Sequence, residues 1–468
     1  MLDLKKWIDQ EQERIIALSD EVWNLAETAM REKISAEVLA SALEADGFSV
    51  ERGVAGMPTA FVASYGEGFP VIGILGEYDA LPGLSQEKAT EQRPVEKGAP
   101  GHGCGHNLLG AAGVAAVLAV KAVIDEGGVQ GSIRYFGCPA EETGVGKAFM
   151  VREGLFADVD IALTWHPGGA NYVKLASNQA VNSVKFRFTG RTAHAAGDPW
   201  NGRSALDAVE LMNVGANYLR EHIITDARIH YVITDGGLAP NIVPETAEVW
   251  YFVRAPQRHQ VDEIYQRLVN IAKGAALMTE TNMDIDFLSG IYNTLPNEII
   301  GQVLQRRLLE VGPPAYTEAD VAFAREMSQS ITDQEKRQTL QRYGSDAVEK
   351  LKDKYLCDIV LEPFGRGQVM GGSTDVGDVS WVTPTGEMYT ACCPLGVPGH
   401  SWQIASSSGT GIGHRGMLAA AKVLALSTVD FMQDSDLVRQ AKEEFQTKTK
   451  DNPYQSPLPA GAQPPVGD

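Results

Sequence analysis

Cys104 and His106 stand two residues apart in the glycine-rich run Gly101-His102-Gly103-Cys104-Gly105-His106-Asn107. A thiolate and an imidazole at that spacing can share one divalent ion or a pair of ions. The adjacent acids Glu141 and Glu142 follow, then His166 after Trp165, and much later His400 between Gly399 and Ser401. Taken in order, these are donors for metal-assisted attack of water on a carbonyl. A strand end over Cys104–His106 would turn both side chains the same way. Neighbouring carboxylates on a turn diverge, so Glu142 is assigned as a ligand and Glu141 as the general base that passes a proton to the leaving amine. Asp79, in Gly76-Glu77-Tyr78-Asp79, joins the catalytic set as the carboxylate that orients a ligand. Each residue alone has an ordinary reading: a glycine loop, two acids at a helix N-terminus, a turn histidine. Their joint order in one alternating region carries the argument. Asp375 and Asp378 could line the same site.

Three further residues fall in a different stretch. His194, in Gly190-Arg191-Thr192-Ala193-His194-Ala195, could stabilise a developing oxyanion. Asn241 lies at a hairpin tip, and Arg254 ends a strand, where its guanidinium could hold a substrate carboxylate as a fork. Other chemistries lack their motifs. The one Gly-x-Gly-x-x-Gly, Gly411 to Gly416, follows a serine run rather than a strand. Phosphate-loop, Gly-x-Ser-x-Gly and His-Glu-x-x-His patterns are absent.

The elements that must position these groups alternate strand and helix. Strands are expected at Phe69–Gly76, Ser132–Cys138 and Ile161–Trp165. Helices are expected at Asn107–Ile124 and Gly146–Glu153. Such alternation predicts a mostly parallel sheet covered on both faces, with ligands gathered beyond the carboxyl ends of its strands. From about Val181 the pattern changes to strand, helix, strand, strand, helix, strand, the order of a ferredoxin-like sandwich. The predicted division is therefore a discontinuous α/β catalytic domain over 1–180 and 297–468, with 181–296 inserted. Helices are expected at Glu298–Val311, Ser345–Lys354 and within Ser408–Met432. Asn452–Asp468 is expected to be an irregular tail.

The chain has 468 residues, 44% of them hydrophobic, and a formal charge of −20. That length favours two domains. The acidity argues against nucleic acid or an anionic membrane as partner. No run of about 18 apolar residues is evident. Met1–Met30 is charged throughout and predicts an amphipathic helix rather than a signal peptide. Five scattered cysteines predict no disulfide framework and a cytoplasmic location.

Together, Gly-Glu-Tyr-Asp-Ala-Leu-Pro, Gly-Cys-Gly-His-Asn, Glu-Glu-x-Gly-x-Gly-Lys, Trp-His-Pro, Gly-x-x-Ala-His-Ala and Gly-Gly-x-x-Pro-Asn-x-Val-Pro resemble the M20 metallopeptidases, in the amidohydrolase branch with a Cys-Gly-His motif. The resemblance spans nearly the whole chain, including the insert from about Tyr316 to Asp358. It implies two divalent ions per chain, Mn²⁺ favoured and Zn²⁺ possible, held by Cys104, His106, Glu142, His166 and His400. It implies Glu141 as base, and an inserted lid and dimerisation domain whose His194 reaches the partner's active site. Asn241 and Arg254 match lid positions that contact substrate. The implied reaction is hydrolysis of an N-acyl amino acid amide, most plausibly p-aminobenzoyl-glutamate, by a homodimer or a heterodimer with a homologous subunit. A dipeptidase, an indoleacetyl-aspartate hydrolase and a non-catalytic partner subunit are the alternatives. Many members of the branch continue Cys-Gly-His-Asp-x-His, where this chain has Asn107-Leu108-Leu109. Glu77 stands where the wider family has a histidine.

Overall fold

The computed structural model describes residues 2–466. Its strands, in chain order, are β1 (Ser49–Arg52), β2 (Phe61–Glu67), β3 (Val71–Glu77), β4 (Gly131–Cys138), β5 (Ile161–Gly168), β6 (Tyr172–Lys174), β7 (Ser177–Asn178), β8 (Ala180–Thr189), β9 (Arg228–Asp235), β10 (Thr246–Ala255), β11 (Asn282–Ile291), β12 (Val369–Met370) and β13 (Thr385–Ala391).

Seven of them form one sheet in the order β1-β2-β4-β3-β5-β13-β6. Its centre is parallel: β4 with β3, β3 with β5, β5 with β13. Its edges are antiparallel: β1 with β2, β2 with β4, β13 with β6. The expectation of a mostly parallel sheet is therefore corrected to a mixed one. The physical reason is the connections. Helices His106–Asp125 and Gly146–Arg152 cross over between β3, β4 and β5 and enforce parallel pairing, whereas β1 returns directly into β2. Every residue of β3 is buried, as a central strand covered on both faces requires.

Helix His106–Asp125 is the axis of the larger core, buried along most of its length among Leu39, Ile74, Tyr135 and Leu424. Among the described residues it is the one helix long and apolar enough to cross a membrane, and 83% of its most apolar window is buried inside the fold. His106, Asn107, Lys121 and Asp125 interrupt it, so it is not an unbroken apolar run, and packing in the core accounts for its apolarity. The single N-terminal helix is also corrected. Leu4–Gln10 and Gln12–Leu25 are separate helices, broken at Glu11, whose ψ of 1° leaves the helical range.

A second, fully antiparallel sheet has the order β11-β8-β10-β9. With helices Ala205–Leu219 and Arg258–Thr279 the chain order is strand, helix, strand, strand, helix, strand. Its core is separate, built from Val184, Phe186 and Phe188 against Val249, Tyr251, Met212 and Leu268. Helices Glu318–Met327, Asp333–Arg342 and Ser345–Leu351 form a further insertion before β13. Arg415 anchors it by an ion pair to Asp320 at 2.7 Å, and the Tyr316 hydroxyl donates to the Ala391 carbonyl at 2.7 Å.

The C-terminal tail is irregular but packed. Leu458 is buried, and the Tyr454 hydroxyl donates to Asp378 Oδ1 at 2.8 Å. Burial pushes the Asp378 carboxyl up to about 7. Asp378 thus fastens the tail and does not line the site. Met1, Gly467 and Asp468 lie outside the described residues.

Candidate metal centre and active site

The expected donors converge at the carboxyl ends of the central parallel strands. His106 is the first residue of its helix, entered through Gly105 at φ 80°. A side chain at Gly105 would be strained there, and its Cβ would stand 2.9 Å from Pro167. The strand-end geometry expected for Cys104–His106 is therefore corrected to a loop running into a helix N-terminus. His106 Nδ1 lies 2.8 Å from Asp79 Oδ1, so the proton sits on Nδ1 and Nε2 is the ligating atom. Asp79 Oδ2 accepts from the Glu142 amide at 2.9 Å, so one carboxylate fixes both the histidine and the acid turn.

His166, in β5, has Nδ1 2.8 Å from the Pro167 carbonyl and Nε2 3.4 Å from Cys104 Sγ. Glu141 and Glu142 form a single 3-10 turn after β4. Glu142 Oε2 is 3.2 Å from His400 Nε2. His400 itself stands at φ 52° on a loop, its side chain 59% exposed. Ligand atoms of Cys104, His106 and His166 lie within 4.8 Å of one another, and so do those of Cys104, Glu142 and His400. Cys104 Sγ is common to both sets. Glu141 Oε2 stands 3.9 Å from His106 Nε2.

Two buried atoms of these donor residues have no hydrogen-bond partner: His106 Nε2 and Glu142 Oε1. An orphaned acceptor in each set is what a divalent ion would satisfy, since leaving such atoms bare is costly. Burial lowers His166 to about 4, so it is a neutral imidazole with a lone pair to offer. Against burial, the thiol and acids around His106 hold it protonated until a cation takes the place of its Nε2 proton. Burial also raises the Cys104 thiol and the Glu141 and Glu142 carboxyls, Glu141 well above its ordinary range. Bound cations reverse that logic and draw out the protons. The residues present fit the group.

Sequence reasoning missed what surrounds Glu77. Lys147, fully buried, places Nζ 2.6 Å from both Glu77 Oε1 and Asp375 Oδ1. Its amide donates to Asp375 Oδ2 at 2.8 Å. Burial opposes ionisation of Glu77, yet the Lys147 charge holds it below the ordinary carboxylate range. Burial pushes Asp375 up to about 6 against the same lysine. Glu77 Oε2 remains 3.3 Å from His106 Nε2. The lysine closing Glu-Glu-x-Gly-x-Gly-Lys was the available signal.

These groups open into a cleft of about 510 Å³, within the range of small-molecule sites. Arg254 lines it from the second sheet and donates to Ser373 Oγ at 2.8 Å. The structure does not bring His194 and Asn241 to this cleft. Both are exposed on a loop of the second sheet, where Ala195 donates to the Asn241 carbonyl at 3.0 Å. His194 Nδ1 accepts from the amides of Ala196 and Gly197.

The profile of the Peptidase family M20/M25/M40 matches residues 73–349, more than half of the chain. The chain belongs to that family. It is accordingly a hydrolase. It is 44% identical to one p-aminobenzoyl-glutamate hydrolase subunit of Escherichia coli (strain K12), over 98% of this chain and 97% of that one. It is 28% identical to the Xaa-Arg dipeptidase of Mus musculus, covering 95% and 91% of the two chains. Among solved structures it shares its fold with a dinuclear metal binding peptidase of the M20 family from Bacillus subtilis. The TM-score is 0.57 at 15% identity, over 91% of this chain and 99% of that one.

Proposed function

We propose that this M20 hydrolase cleaves the amide of p-aminobenzoyl-glutamate, releasing p-aminobenzoate and glutamate. The observation that carries the reading is the pair of donor sets sharing Cys104, with Glu141 beside them at the floor of one cleft. Cys104, His106 and His166 would hold one ion, and Cys104, Glu142 and His400 the other. Two divalent ions, Mn²⁺ favoured and Zn²⁺ possible, supply Lewis acidity when bound and lower the pKa of water toward about 7. Glu141 takes the proton of the attacking water and returns it to the leaving nitrogen. Asp79 keeps His106 in the tautomer that presents Nε2. Arg254, which has no acidic partner, grips the free carboxylate of the amino acid.

Residues 181–296 act as lid and dimerisation domain on a catalytic domain of 1–180 and 297–468. What supports this is an open edge. β9 ends its sheet and exposes Tyr231, Val232 and Ile233, and the adjoining helix exposes Leu211, Val214 and Tyr218. An unprotected apolar edge strand invites pairing with a second chain. His194 and Asn241, remote from their own cleft, then serve the partner's site, where His194 steadies the carbonyl oxygen. The partner is a second copy or a homologous subunit. Five free cysteines suit the reducing cytoplasm.

Full-length similarity to a dipeptidase favours a second reading, cleavage before arginine. Arg254 would serve either substrate, because both offer it a free main-chain carboxylate. A panel of substrates separates the two. The purified, metal-loaded chain is expected to cleave p-aminobenzoyl-glutamate with a kcat/KM at least about tenfold above those for indoleacetyl-aspartate and an Xaa-Arg dipeptide, a difference of about 1.4 kcal/mol in transition-state binding. The reverse order would replace the proposal by the dipeptidase.

A further inference from the structure

Arg342 is the last residue of helix Asp333–Arg342 in the insertion before β13, and it lines the same cleft as the metal donors. A basic residue at a helix C-terminus is common. Its place on the wall of this cleft needs another account. Among the described residues, each acid on the wall pairs with a group other than Arg342. Glu77 pairs with Lys147, Glu141 with His106 at 3.9 Å, Glu142 with His400, and Glu387 with Lys174 at 2.6 Å. On its far side Arg342 also borders a second cavity of about 300 Å³, where Asp346 is paired with Lys350 at 2.8 Å. No carboxylate of the described chain forms an ion pair with Arg342.

Its position is fixed from beneath. Tyr343 follows immediately and packs on Tyr172 at 5.2 Å between ring centroids. Tyr172 stacks on Tyr389 at 4.7 Å, and Tyr389 packs on His166 at 5.3 Å. An unbroken line of rings therefore ties the end of the inserted helix to a donor of the metal centre. Lys336, in the same helix, donates to the Lys352 carbonyl at 2.8 Å and holds the insertion's return loop. The helix end that carries Arg342 is thus held in place at the cleft that Arg254 also lines.

We infer that Arg342 is a specificity residue that binds the side-chain carboxylate of the substrate's amino acid, so that the cleft selects N-acyl derivatives of a dicarboxylic amino acid. The inference rests on the amidohydrolase reading above. Two unpaired guanidinium groups on one wall system match two carboxylates, Arg254 taking the main-chain one and Arg342 the side-chain one. A planar guanidinium suits a carboxylate bidentately.

The test uses the full-length, metal-loaded chain as wild type, Arg342→Met and Arg342→Lys. Each is given p-aminobenzoyl-glutamate and p-aminobenzoyl-glutamine, which differ only in the side-chain carboxylate. Calorimetric binding of free glutamate and free glutamine is measured in parallel. Arg342→Met is expected to raise KM for the glutamate compound about 10–100-fold, the scale of a lost charged hydrogen bond, with kcat nearly unchanged. KM for the glutamine compound stays where it was, and glutamate loses its binding advantage over glutamine. Arg342→Lys recovers part of the preference. Equal losses on both compounds would mark a structural role and overturn the inference, as would a wild-type protein that binds glutamate no better than glutamine. If the wild type cleaves neither compound, the amidohydrolase reading fails, while the binding comparison still decides the role of Arg342.

Discussion

Glu141→Gln is expected to lower kcat by about 10²–10⁴-fold, the usual contribution of a positioned general base, while the metal content of the protein stays unchanged. The substitution keeps the size and hydrogen-bonding shape of the side chain and removes only its capacity to take a proton. Glu141 belongs to neither donor set around Cys104, and its Oε2 stands 3.9 Å from the ligating nitrogen of His106. It also lies within 4.8 Å of the ligand atoms of Glu77 and His106, close enough to serve water held there, while each set around Cys104 keeps three donors without it. Burial, with the charges of Glu77 and Asp375 behind it, raises its carboxyl well above the ordinary range. The base must be ionised to work. Activity is therefore lost as pH falls through its pKa, and bound cations shift that limb toward acid. Glu142→Gln is the contrast: it reduces metal binding as well as turnover. Turnover by Glu141→Gln at the wild-type rate would remove Glu141 from the mechanism.

Lys147→Met is expected to destabilise the fold by about 3–5 kcal/mol, the cost of leaving buried charge without its partner. Glu77 and Asp375 are 2% and 0% exposed, and both depend on the one ammonium group at 2.6 Å. For a chain of this length the melting temperature should fall by roughly 3–5 °C. Adding Glu77→Gln and Asp375→Asn to Lys147→Met is expected to restore part of the loss, because the neutral trio no longer buries charge. An unchanged melting temperature in the single variant would show that Lys147 is not what compensates these acids. The lysine also gives Glu77 a physical role where the wider family has a histidine: one oxygen is committed to Lys147 while the other faces His106.

The parts of this molecule legible in its sequence were those with a local period or a local cluster of donors. β4, β5 and helix His106–Asp125 follow from apolar runs bounded by glycine and polar residues, within a residue or a few of their ends. The alternation in Val184–Phe188 and the helical spacing after Ala205 announced the second sheet. The donors were legible because thiolate, imidazoles and paired acids recur beside glycine at strand and loop ends. What was illegible depends on distance along the chain. Cys104–His106 reads equally as a strand end or a helix start, and Gly105 with Pro167 packed against it decides for the helix. Helix Asp333–Arg342 buries only Leu340, so it shows no apolar stripe to detect. Lys147 meets Asp375 across more than two hundred residues, and Arg342 reaches the cleft only through the stacked rings of Tyr343, Tyr172 and Tyr389. No pattern within a window of sequence encodes such meetings.

The most direct test of the central claim is glutamate release from p-aminobenzoyl-glutamate by the purified chain, loaded with manganese and free of any homologous partner. The account predicts release that stops when a chelator strips the ions and returns when metal is restored. No release from folded protein carrying its two ions would contradict it.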